Sequence, residues 1–82
     1  MSIEITITTK AHKKLIAALH DARKKSGLRQ TQVAKKLGRS QTWIARVEKG
    51  KRRVDVVEFV ALAKLFHVDP HKLLGRVMVD SD

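Results

Sequence analysis

Residues 37–43 read LGRSQTW. A helical apolar spacing runs into this stretch and a second one runs out of it, leaving only Gly38, Arg39 and Ser40 between them. Glycine ends a helix because it enters the left-handed backbone region without steric cost. Serine starts one because its hydroxyl accepts an orphan backbone N–H one turn on. The spacing therefore predicts a short helix over residues 30–37, with Val33, Ala34 and Leu37 inward and Gly38 as its end. A second helix, capped by Ser40, runs to Lys49 and stops at Gly50. At 100° per residue, Ile44 and Val47 share the face of Ser40 and Glu48. Thr42, Arg46 and Lys49 point the other way, with Ala45 beside them.

Upstream, Thr8 or Thr9 offers a cap for a helix whose apolar stripe is Ala11, Leu15, Ala18, Leu19 and Ala22, ending at Gly27. Downstream, Lys51-Arg52-Arg53 reads as a loop and Asp55 as the cap of a helix over residues 56–66. That helix is apolar nearly all round, which predicts burial on more than one side. Asp69-Pro70 starts a fifth helix, to about Val77, with Leu73, Leu74 and Val77 inward. At the N-terminus, Ile3, Ile5 and Ile7 alternate with Glu4, Thr6 and Thr8, the period of a short strand. A lone strand is not stable in water, so it is expected to pair with residues 77–79 or with the same segment of a second chain. The organisation expected is a β arm over residues 1–8, a helical domain over 9–78 and a frayed end over 79–82.

Eighty-two residues make one domain with a small core. No cysteine is present for disulfides or thiolate metal sites. No apolar run approaches the roughly 20 residues that span a bilayer, and the N-terminus lacks the pattern of a signal peptide, so no membrane partner and a cytoplasmic location are expected. The net charge is +10, and its placement is informative. Residues 10–53 hold fifteen Lys and Arg against two acids, Asp21 and Glu48. One contiguous basic half is the electrostatic footprint of a face that binds a polyanion, although a basic surface also aids solubility or touches acidic lipid.

Two short helices across a tight glycine-containing turn, the second with a polar outer face, are the sequence form of a helix-turn-helix. The residues Leu28-Arg29-Gln30-Thr31-Gln32-Val33-Ala34, Leu37-Gly38, Ser40-Gln41-Thr42-Trp43-Ile44 and Val47-Glu48-Lys49-Gly50-Lys51-Arg52-Arg53 closely resemble the XRE family of phage-repressor-like helix-turn-helix domains. The resemblance extends through Val68-Asp69-Pro70 to Leu73-Leu74. It implies an all-α, five-helix repressor-like domain, here with a short N-terminal β arm, that places its third helix in the major groove of duplex DNA. A groove about 12 Å wide admits one α-helix.

The resemblance implies roles for individual positions. Gln41, Thr42 and Arg46 would face base edges, glutamine pairing with adenine and arginine with guanine. Lys49 and Ala45 lie near the same face. Gln30 would bond a phosphate, and Arg39, Ser40, Lys49, Lys51, Arg52 and Arg53 would hold the backbone, which sets register without reading sequence. Trp43 would either reach a sugar-phosphate with its indole N–H or seal the second helix against the third. Glu48 faces the core, where a lone carboxylate is costly, and the resemblance supplies Arg23 as its ion-pair partner. Two positions depart from the family pattern. Arg29 stands where Thr or Ser often caps the second helix, which predicts a loose start. His67 stands where glycine often follows the fourth helix, which predicts a small backbone strain.

His67 and His71 are separated by Pro70 and a helix boundary, so no metal is expected. His12 and His20 are expected to graze solvent or phosphate. No nucleophile–base–orienter set, phosphate-binding glycine loop or carboxylate pair is present, so neither enzyme activity nor a cofactor is expected. Val57, Ala61 and Leu65, the fifth helix and the strand over residues 3–7 are candidate dimer contacts. The sequence thus points to a dimeric transcriptional repressor on a palindromic operator. The alternative is an antitoxin that binds a toxin protein and autoregulates through the same domain; non-specific nucleic-acid packaging is a weaker third reading.

Overall fold

The first four helices begin and end where a nearby side chain or a left-handed residue satisfies terminal backbone groups. A computed structural model describes residues 9–78 and contains, within them, five helices and no strand: α1 (Lys10–Ser26), α2 (Gln30–Leu37), α3 (Gln41–Glu48), α4 (Val56–Leu65) and α5 (Pro70–Met78). The predicted arm over residues 1–8 lies outside the described residues. Val77 and Met78 belong to α5, so they are not a strand that could pair with it.

Thr9 caps α1 by accepting from the His12 N–H, and Gly27 closes it at φ 79°. Arg29 carries no acceptor and cannot cap α2. The start of α2 is nonetheless fixed, because Gln32 reaches back and accepts from the Arg29 N–H at 2.8 Å. This glutamine half of a capping box replaces the missing hydroxyl, so the expected loose start is not found. At the other end the Arg39 N–H bonds to Ala34 O and the Gly38 N–H to Lys35 O, with Gly38 at φ 66°. This doubly bonded helix stop hands the chain to Ser40, whose hydroxyl accepts from the Trp43 N–H at 3.2 Å. The turn is therefore short because one residue finishes α2 and the next but one starts α3.

Helix α4 carries a reciprocal cap, Glu58 N–H to Asp55 Oδ1 at 2.7 Å and Asp55 N–H to Glu58 Oε1 at 3.0 Å. It ends with His67 at φ 57°, where His67 and Val68 N–H groups bond to Lys64 and Ala63 carbonyls. Asp69 accepts from the His71 N–H at the start of α5.

The core gathers Ile16, Leu19, Val33, Trp43, Ile44, Val47, Leu62, Phe66 and Leu73. Helix α1 lies at its centre, packed against α5, α3 and α4, while α2 packs on α3. The reading of α4 as buried all round fails in its first turn: Val56 and Val57 are 77% and 78% exposed. The inward position there is taken by Glu58, which is buried; at 100° per residue Val56 lies nearly opposite it and Val57 to its side.

Candidate nucleic-acid interface

Helix α3 is fixed by its inner face and free on its outer one. Trp43, Ile44 and Val47 are buried, whereas Gln41, Thr42, Arg46 and Lys49 are exposed and Ala45 is half-buried. Eight residues of helix are marginal alone, so the rigidity of this face comes from the core beneath it.

The inner end of α3 is tied to α1 through Glu48. The Arg23 guanidinium grips its carboxylate with Nε on Oε2 at 2.5 Å and Nη2 on Oε1 at 3.0 Å, and donates a further bond from Nη1 to Leu28 O. The Glu48 side chain is only 6% exposed. Burial pushes its carboxyl up, but hydrogen bonds from Arg23, His20 and Gln30 and the Arg23 charge outweigh that and hold it below the usual carboxylate range. His20 does not graze solvent alone: its Nδ1 lies 2.8 Å from Glu48 Oε1. Sequence reading missed this contact, which joins residues on two helices and leaves no local signal.

Gln30 carries the network outward. Its Nε2 donates to Glu48 Oε1 at 3.0 Å, and its Oε1 accepts from Gln41 Nε2 at 2.9 Å. An ionised carboxylate only accepts. Glu48 therefore fixes which end of the Gln30 amide faces it, and Gln30 fixes which end of Gln41 faces Gln30. Gln41 keeps one N–H and its Oε1 for a ligand, the donor and acceptor that a bidentate adenine contact needs.

A second cluster borders the same face. Arg39, in the α2–α3 turn, and Arg52, in the loop after α3, have their guanidinium carbons 5.1 and 5.8 Å from the Trp43 ring centroid. Both also bond to Glu58. Trp43 itself is 6% exposed and its Nε1 is buried without an acceptor, so the ring serves as a packed platform and the indole N–H is not presented to a sugar-phosphate. Glu58 was also missed from sequence; the Asp55-x-x-Glu58 spacing signals the cap but not the arginines. Two surface clefts, of about 640 and 210 Å³, share Glu58 in their lining. The larger includes His12, Lys51, Arg52 and Arg53. Burial and the Arg53 charge lower the His12 pKa below its ordinary value. Lys51 and Arg53 line the larger cleft and are exposed, as are Ser40 and Lys49 at the two ends of α3. Among the described residues no group of three or more metal-ligating side chains converges, and no helix is long and apolar enough to cross a membrane.

Residues 15–74 match the helix-turn-helix domain family. A solved structure, an XRE-family like protein from Pseudomonas syringae pv. tomato str. DC3000, superimposes with a TM-score of 0.76 at 33% identity over 82% of each chain. The chain belongs to the XRE-like helix-turn-helix family. No curated protein sequence matches it. As an XRE-family chain it has its helix-turn-helix in α2, the Gly38-Arg39-Ser40 turn and α3. The family assignment supports a DNA-binding regulator of transcription.

Proposed function

We propose that this protein is a sequence-specific repressor that binds a palindromic operator in duplex DNA as a homodimer. Helix α3 enters the major groove with Gln41, Thr42 and Arg46 at base edges. Gln30, Arg39, Ser40, Lys49, Lys51, Arg52 and Arg53 hold the sugar-phosphate backbone, and Trp43 acts through the two arginines that stack on it. The observation that carries this reading is the outer face of α3, polar and basic, exposed, and backed by a buried inner face of the same helix. The basic half of the chain supplies the phosphate attraction that dominates affinity.

Dimerisation is supported by Val56, Val57, Leu74 and Met78, which are large apolar side chains left exposed on a highly charged chain. Two-fold pairing would set two reading helices about 34 Å apart, one turn of DNA. Selecting bound sites from a pool of random duplexes tests the whole reading. A palindromic consensus and a dimeric sedimentation mass on it are expected. Binding with no preferred sequence at physiological salt would overturn the specific reading, and a monomer on a single half-site would overturn the dimer.

A further inference from the structure

We infer that Glu58 is a positioning residue for DNA binding, its buried carboxylate holding Arg39 and Arg52 on Trp43 as one preformed phosphate clamp. The inference rests on the backbone-contact role proposed above for the two arginines. They come from opposite ends of α3, one from the turn before it and one from the loop after it. Arg39 Nη2 lies 3.0 Å from Glu58 Oε2. Arg52 Nη1 lies 3.4 Å from Oε1 and 3.5 Å from Oε2. Two guanidiniums thus meet at one carboxylate oxygen. Two like charges this close repel, and Glu58 is the group that offsets one of them.

The capping role of Glu58 does not account for its charge. A glutamine accepts from the Asp55 N–H equally well, whereas a carboxylate only 8% exposed carries a desolvation cost. The charge is used by the arginines. Each of their side chains remains about two-fifths exposed, at 43% and 40%. Each guanidinium has five N–H donors, of which Glu58 engages a minority, so the rest stay available to a ligand. A free arginine loses rotamer freedom when it binds a phosphate, and one already stacked and ion-paired loses less.

The clamp and simple charge counting predict opposite signs. Removing a negative charge beside a DNA-binding face should tighten binding by charge alone, most at low salt. If Glu58 preforms the clamp, removing its charge weakens binding. The experiment measures dissociation constants for a selected duplex across a range of salt concentrations, for the unmodified protein, E58Q, the R39A/R52A double variant and the triple variant. Expected for E58Q is a loss of about five- to tenfold, the ordering of one or two side chains, persisting at every salt concentration. In the R39A/R52A background E58Q should cause no further loss. R39K/R52K keeps the net charge and the α4 cap but removes the planar fork and its stacking; it should lose affinity by a similar factor, and it reads the clamp even if E58Q is poorly folded. Equal or tighter binding by E58Q, with R39A/R52A weakened, overturns the clamp and leaves the backbone-contact role standing. Unchanged affinity in R39K/R52K also overturns the clamp. Unchanged affinity in R39A/R52A overturns the backbone-contact role and the clamp with it.

Discussion

Gln41 on the exposed face of α3 donates its Nε2 to Gln30 Oε1 at 2.9 Å, and Gln30 in turn is held by the buried Glu48. The outward amide is therefore oriented by a carboxylate two residues of the network away, in the core. A side chain that would otherwise rotate in solvent is held at the surface of α3 with one donor and one acceptor left for a ligand.

Gln30→Ala should loosen Gln41 and cost discrimination at the base pair Gln41 contacts. A double-mutant cycle with Gln41→Ala on the selected duplex should give a coupling energy of about 0.5–3 kcal/mol. Additive losses would show that the two amides act independently.

Glu48→Ala should destabilise the fold by about 3–5 kcal/mol, because it leaves the Arg23 guanidinium, 12% exposed, without its carboxylate. Urea unfolding followed by circular dichroism reads this directly. A change below about 1 kcal/mol would place the pair among surface ion pairs of little consequence.

Stability should fall in two stages as pH drops. His12 has a lowered pKa in the folded protein, so the unfolded chain binds its proton first and stability declines from about pH 6.5 downward, through the folded value. Glu48 has a lowered pKa as well, so its contribution is present above about pH 4.5 and is lost as pH falls through the folded value. Thermal melts of the unmodified protein and of His12→Gln should differ in their pH slope in the first window and share it in the second. A first stage unchanged in His12→Gln would assign it elsewhere.

Arg46→Ala should weaken specific binding by about 1–3 kcal/mol and relax preference at one base position. Equal weakening on every sequence would move Arg46 to the backbone.

Lys51→Ala should leave base preference intact and lower the slope of log K against log salt by about one unit. A shifted consensus would contradict a backbone role.

His67→Gly should stabilise the protein by roughly 0.5–1 kcal/mol, since φ 57° disfavours a side chain and glycine relieves it, less the entropy glycine adds to the unfolded chain. The midpoint of urea unfolding should rise with an unchanged m-value; a lower midpoint would mean that the imidazole makes contacts that outweigh the strain.

The sequence by itself determined where the helices stop and start. Gly38, Ser40, Asp55 and Asp69-Pro70 act on backbone groups within a turn of themselves, so their effect is written in adjacent residues. It also determined that α3 has a polar outer face, because a 3.6-residue period assigns Thr42 and Arg46 to one side and Ile44 and Val47 to the other. Only the tertiary structure decided which distant residues meet. His20 and Glu48 are joined across α1 and α3, and Arg39, Arg52 and Glu58 converge on Trp43 from a turn, a loop and a helix. It also decided that the first turn of α4 shows its valines to solvent, with Glu58 beneath. Such meetings depend on how helices are directed against one another by the shape of the shared core, and no local spacing encodes that direction.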